Sequence, residues 1–256
     1  MIKFFRKIRQ QLMAEKKIGK YLIYAVGEIV LVVIGILIAL SVSNANEVGK
    51  QNEQEQRYLK ALKLEFEFNK DVLDGVILQN AQNVKAALAI IELVGPKAPL
   101  MTANELGPLI TGAINNEVQY RPSPGVLSEI INAGKLGSFS DADLKKELAS
   151  WEAELKKVQF QENEEVHRRR MALFDFLTDN MNIRRSTYLD LGKMIGYGDT
   201  QFDTKKTNIL RMEEFENLMI NFTIVSDILN RSYYLDISKK IKAITTLIDK
   251  NITNKL

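Results

Sequence analysis

Residues 21–42 read YLIYAVGEIVLVVIGILIALSV, an apolar run broken by one ionisable side chain, Glu28. No other feature constrains the chain as strongly. At a rise of 1.5 Å per residue the run is roughly 33 Å long as a helix, enough to cross a hydrocarbon core of about 30 Å. The buried helix of a soluble protein is seldom apolar on every side for so long. The run therefore predicts a transmembrane helix over 21–42. A cleaved signal peptide is the rival reading, with Ser43-Asn44-Ala45 as the cleavage site. The long basic leader and the length of the run argue against it.

Charge sets the expected orientation. Residues 1–20 carry seven basic side chains against Glu15, whereas the rest of the chain carries 28 basic and 31 acidic ones. An excess of Lys and Arg before a span keeps that side in the cytoplasm. The amino terminus is thus expected in the cytoplasm of a bacterial cell, the span in the inner membrane and residues 43–256 in the periplasm. The leader has a pattern of its own: Phe4, Ile8 and Leu12 recur at helical spacing among Lys3, Arg6, Lys7 and Arg9. That pattern predicts a basic amphipathic helix lying on the bilayer surface; a disordered basic flank that only sets topology is the alternative. Because the basic excess belongs to the leader and the remainder is acidic, a nucleic-acid partner is not expected. The chain has no cysteine, which excludes disulfides, thiolate metal sites and cysteine nucleophiles.

Within the span, Glu28 stands seven residues before Gly35, and Gly35 four before Ala39. Small residues four apart let helix backbones approach closely. The face is read as a helix contact, either between copies or with another envelope protein. An intramembrane carboxyl is also a candidate for proton or ion coupling, and contact with lipid headgroups is a third role open to it.

The leader FFRKIRQ followed by KYLIYAVGEIVLVVIGILIAL resembles the amino-terminal signature of an uncharacterised family of small single-pass membrane proteins from Bacteroidota. Family members often continue with Asn-x-Trp-Asn-Glu; here the stretch is Asn44-Ala45-Asn46-Glu47, without the tryptophan. The segment from Leu127 to Leu136, with Leu148 and Trp151, looks like the family too. The resemblance implies an inner-membrane location and carries no activity with it.

Beyond the span the pattern is helical. Leu59, Leu62, Phe66, Leu73, Val76, Val84, Leu88 and Ile91 make one apolar stripe. All five prolines then fall between Pro96 and Pro124, predicting short helices and turns. Thr102-Ala-Asn-Glu105 is a capping box, and Ser123-Pro124 can open a helix that Gly134 ends. Ser140-Asp-Ala-Asp143 opens a second long helix with the stripe Leu144, Leu148, Trp151, Leu155, Val158, Val166, Leu173 and Leu177. A third, from about Arg211 to Lys250, carries Phe215, Leu218, Phe222, Val225, Leu229, Tyr233, Ile237, Ile241, Ile244 and Ile248.

The expected fold is all-α: a transmembrane helix, then an antiparallel bundle of three long helices with short accessory helices. Up–down–up connection would put a cap of about 95–140 at the far end. It would return the basic, tyrosine-bearing segment of about 179–207 to the membrane, where it suits a headgroup surface as well as it suits solvent.

No catalytic constellation is legible. His167 is the single histidine and lies beside three arginines, an unfavourable place for a metal ion. The paired carboxylates Glu164-Glu165 and Glu213-Glu214 diverge on their helices and read as solvated faces. Trp151 sits in a leucine stripe and reads as core. The expectation is a non-enzymatic interaction or scaffold protein without a cofactor, partnered by the bilayer and by a second copy or another envelope protein. Two alternatives remain: an accessory subunit of an ion-coupled or force-transmitting complex using Glu28, for which Glu28→Gln would abolish activity, and a periplasmic ligand sensor acting through a separate transducer.

Overall fold

The structure is a computed structural model, and it describes residues 18–202 and 208–252. The leader residues Lys3, Phe4, Arg6, Lys7, Ile8, Arg9 and Leu12 lie outside the described residues. The described residues are helical, joined by turns and irregular segments, and fall into two units divided after Arg57.

The first unit is the opening part of helix α1 (Ile18–Ile91). From Leu22 to Val42 its large apolar side chains are 46–77% exposed. Among the described residues this is the one helix long and apolar enough to cross a membrane. Apolar surface on this scale is stable only when removed from water, which a bilayer does.

The second unit is built on the rest of α1. Its buried stripe runs Leu59, Leu62, Phe66, Asn69, Leu73, then half-buried Val76, then Asn80, Asn83, Ala87 and Ile90. The steps alternate strictly between three and four residues. Of the expected continuation through Val84, Leu88 and Ile91, Leu88 is corrected to 49% exposed and Ile91 packs partly buried on the core, while Asn83, Ala87 and Ile90 are buried. The apolar residues drift off the face, and asparagines hold it.

The capping box forms as expected: Thr102 accepts from the Glu105 N–H, the Glu105 carboxylate accepts from the Thr102 N–H, and α2 (Ala103–Ile114) follows. Helix α3 (Gly125–Asn132) starts after Pro124, and Gly134 beyond it is left-handed at φ 65°. Ser123 does not cap α3. The buried Glu65 carboxylate of α1 does so from across the core, accepting the N–H groups of Val126 and Leu127. An anion at a helix amino terminus satisfies orphan donors and opposes the helix dipole.

The connection after α1 changes the expected topology. Asn83 of α1 donates to the carbonyl of Asn116, and Asn69 accepts from the Ser123 N–H at 2.7 Å. Glu65 meets Val126, and Tyr58 stacks on Phe139 with ring centroids 6.4 Å apart. Residues 116–139 thus run back along α1 to its Tyr58 end. Helix α4 (Ala142–Phe160) starts there and runs parallel to α1, with Trp151 edge-on to Phe66 at 5.0 Å. After a π-helical segment (Gln161–His167) it continues as α5 (Arg168–Asn180). Helix α8 (Glu213–Ile228), a second π segment (Leu229–Tyr234) and α9 (Leu235–Asn251) then return. The Gly95 N–H donates to the Leu210 carbonyl, Asn80 to that of Ser226, and Lys63 pairs with Asp249 at 2.7 Å. The up–down–up order is therefore corrected to two parallel helices and one antiparallel. The physical reason is that residues 92–141 form a full-length crossover and not a cap.

The expected return of the segment at about 179–207 is corrected for its described helix. Helix α6 (Ile183–Thr187) packs on α2, where a Cβ on Gly107 would stand 2.0 Å from the Ser186 carbonyl oxygen. This helix lies beside α2 at the Ile91 end of the unit, not back at the Tyr58 end; residues 203–207 lie outside the described residues.

Asp141 caps α4 by accepting the Leu144 N–H at 2.9 Å, and it also accepts from the Asn251 amide at 2.8 Å, tying the end of α9 to the start of α4. The Leu144 N–H first, and the Asn251 amide next, hold its carboxyl below the ordinary range. The stability it adds is present above the unfolded carboxyl range and is lost as pH falls through the lowered folded value. Asp141→Ala is expected to lower stability by about 1 kcal/mol at neutral pH in a denaturant titration; an unchanged midpoint would count against the cap.

Candidate functional site

The site sits where the two π segments meet. In a π turn the backbone bonds to the fifth residue instead of the fourth, so the inward face shifts by one position. Between α8 and α9 the buried residues step from Leu229 to Tyr234, five residues apart, before resuming at Ile237. A constant helical period buries Tyr233; the structure buries Tyr234 completely and leaves Tyr233 half-exposed. Earlier on the same helix Met219 is buried and Leu218 packs partly buried beside it. Glu162, in the π segment of the facing helix, is 2% exposed.

Glu162 is held by one oxygen. Its Oε1 accepts the Tyr120 N–H at 2.7 Å and the Tyr234 O–H at 2.6 Å. Its Oε2 is buried without a hydrogen-bond partner among the described residues. An ionised carboxylate so placed pays a desolvation cost that two donors only partly offset. Burial pushes the Glu162 carboxyl up to about 7, against smaller opposing effects from Tyr234, Tyr120 and Arg121. Burial, and then the neighbouring Glu162, push both phenols well above their ordinary range, so both stay protonated. Tyr120 also donates to the Asn69 carbonyl at 3.2 Å, linking α1, the crossover and both π segments.

Three buried asparagines extend this polar column. Asn69 exchanges two bonds with the Ser123 backbone, Asn83 holds the Asn116 carbonyl, and Asn80 donates to the Ser226 carbonyl at 2.7 Å and to Asn230 at 2.9 Å. Each satisfies backbone groups of a neighbouring segment inside the core, which fixes register where apolar packing alone would tolerate slippage.

The chemistry available is narrow. Beside Glu162 is a cleft of about 10 Å³ lined by Asn83, Asn116, Gln119, His167 and Arg170, room for one water. A second, apolar cleft of about 90 Å³ lies between α2, α5 and α6, below the size of ordinary ligand pockets. Among the described residues no group of three or more His, Asp or Glu side chains is placed to hold a metal ion.

Of the side chains singled out in the sequence, His167 borders the cleft beside Glu162 and the others lie elsewhere. Glu28, Gly35 and Ala39 are exposed on the apolar stretch of α1, and a Cβ on Gly35 would meet nothing within 4 Å. His167 is exposed, and Glu165 pairs with Arg169 at 2.7 Å along its own helix, as Glu164 does with Arg168. Trp151 is core. Glu162 was legible in principle: the steps 144, 148, 151, 155, 158 lead by four to 162, but a glutamate at that position reads as surface.

A family described as "Family of unknown function (DUF6090)" matches residues 28–171, a span that includes Glu65, the three asparagines, Tyr120 and Glu162. No curated protein and no solved structure matches the chain.

Proposed function

The chain belongs to the DUF6090 family, and from its own geometry we propose that it is a membrane-anchored interaction protein whose helical bundle acts as a scaffold and not as an enzyme. One observation carries this reading. A single helix, α1, supplies both the exposed apolar stretch from Leu22 to Val42 and one wall of a closed helical core from Leu59 to Ile90.

The proposed setting is the bacterial inner membrane, with the basic amino terminus in the cytoplasm and the bundle in the periplasm. The partner is a second copy or another envelope protein. Glu28, Gly35 and Ala39 supply the contact within the bilayer, where small residues allow close helix approach. Leu64, Phe68 and Leu78, 56–69% exposed on the outer side of α1, offer further apolar contact outside it.

The test is the mass and composition of the complex extracted from native membranes in mild detergent. A multiple of 29.1 kDa, or a second protein in fixed ratio, is expected. A monodisperse single chain free of partners at every detergent concentration would contradict the proposal.

A further inference from the structure

In the segment 182–202 several polar groups bond to one another while large apolar side chains are exposed. Arg184 donates from Nε to the Gly198 carbonyl at 2.7 Å, and Arg185 pairs with Asp199 at 2.8 Å. The hydroxyls of Thr187 and Tyr197 lie 2.6 Å apart. Gly192 is pressed under the Tyr197 ring, where a Cβ would approach to 2.8 Å, and Gly196, at φ 96°, makes the left-handed turn after α7 (Lys193–Ile195). These contacts fix the loop. Met194, Ile195 and Phe202 stay 76%, 68% and 79% exposed. A loop that only faced water would expose polar side chains in their place.

Size and charge decide what covers these side chains. Three such side chains offer roughly 400 Å² even if wholly counted, about half of what each partner contributes to a stable protein interface. A lipid surface sets no such threshold, because a few apolar side chains can enter the boundary between headgroups and acyl chains. Arg184, Arg185 and Lys193 outnumber Asp190 and Asp199 in this segment; Arg184 and Lys193 are exposed, and Asp199 is held by Arg185. The geometry points to an anionic phospholipid surface: Met194, Ile195 and Phe202 insert, and Arg184 and Lys193 meet headgroup phosphates. This reading is independent of the chain's oligomeric partner.

The absence of cysteine makes the test direct. Full-length chains carrying Met194→Cys or Phe202→Cys, and Gln82→Cys on exposed α1 as control, are labelled with an environment-sensitive fluorophore. They are reconstituted in phosphatidylcholine vesicles with or without phosphatidylglycerol, and then mixed with a second population of vesicles of either composition. Labels at 194 and 202 are expected to shift to the blue and to be quenched by spin-labelled lipid, more strongly with phosphatidylglycerol, while the label at 82 stays unchanged. A signal before mixing identifies the chain's own bilayer, and a signal only after mixing identifies a second one; both support insertion. Lys193→Gln should weaken the anionic-lipid response about fivefold and leave the response to phosphatidylcholine alone unaltered. Labels equally water-exposed under every condition would overturn the inference. So would disulfide formation between copies at 194 with no quenching by lipid, which would assign these side chains to a second chain.

Discussion

Raising the pH from about 4.5 to about 7 is expected to lower the stability of the folded unit through one buried group, Glu162. In the unfolded chain this carboxyl ionises near its ordinary value of 4.5, whereas in the fold burial holds it protonated up to about 7. Between those values the folded state binds one more proton than the unfolded state, so stability falls as pH rises. The contribution is fully present below the unfolded value and is lost as pH passes through the folded one. At about 1.4 kcal/mol per pH unit the total loss is about 3 kcal/mol. The charged groups that act on Glu162 from the crossover, Arg121 and Glu117, shift this window less than burial does. Glu162→Gln keeps an oxygen for the Tyr120 N–H and the Tyr234 O–H and removes the titration. Denaturant midpoints of the full chain in detergent at pH 5 and pH 7.5 should therefore separate for the native chain by more than for the variant. Parallel shifts in the two proteins would sink the assignment.

Gly107→Ala is expected to cost roughly 3 kcal/mol and to detach α6 from α2. The added Cβ would lie 2.0 Å from the Ser186 carbonyl oxygen and 2.8 Å from its carbonyl carbon, both backbone atoms that no rotamer change can move aside. Gly112 on the same helix is the control. A Cβ there would meet its nearest neighbour, Ala86 Cβ, at an ordinary 3.9 Å. Gly112→Ala should stabilise α2 by about 0.5–1 kcal/mol, the usual gain from removing glycine's backbone freedom. Hydrogen exchange should show lost protection over 183–200 in the Gly107 variant alone, with α1, α4 and α9 still protected. Equal protection in the two variants would mean that α2 and α6 are not packed as described.

These two residues also mark the limit of what the sequence reveals. The apolar run, the capping box at Thr102, the start of α4 and the stripes of α4 and α9 follow from local spacing, because each depends on residues within a turn or two of one another. Asn69, Asn80, Asn83 and Glu162 hold positions on those same stripes. They went unrecognised because a polar residue signals burial only when its partner is known, and the partners are 33 to 150 residues away in the chain. Tyr234 was hidden for a different reason: a π turn shifts the inward face by one residue, and nothing in the periodicity of Leu229–Tyr234 announces it. Topology was the largest correction. Antiparallel succession is the economical expectation for helices joined by short links, but residues 92–141 contain enough chain to run the length of α1 and start α4 parallel to it. Gly107 reads as an ordinary turn residue until Ser186 is placed against it.

If residues 22–42 anchor the chain in a bilayer as proposed, extraction of native membranes will show it. The full chain should stay in the membrane pellet after high-salt and alkaline carbonate washes and leave it only in detergent, while a chain lacking residues 1–46 should appear in the soluble fraction. Release of the full chain by alkaline carbonate would contradict the account, since an exposed apolar helix that does not span a bilayer has no other stable place among the described contacts.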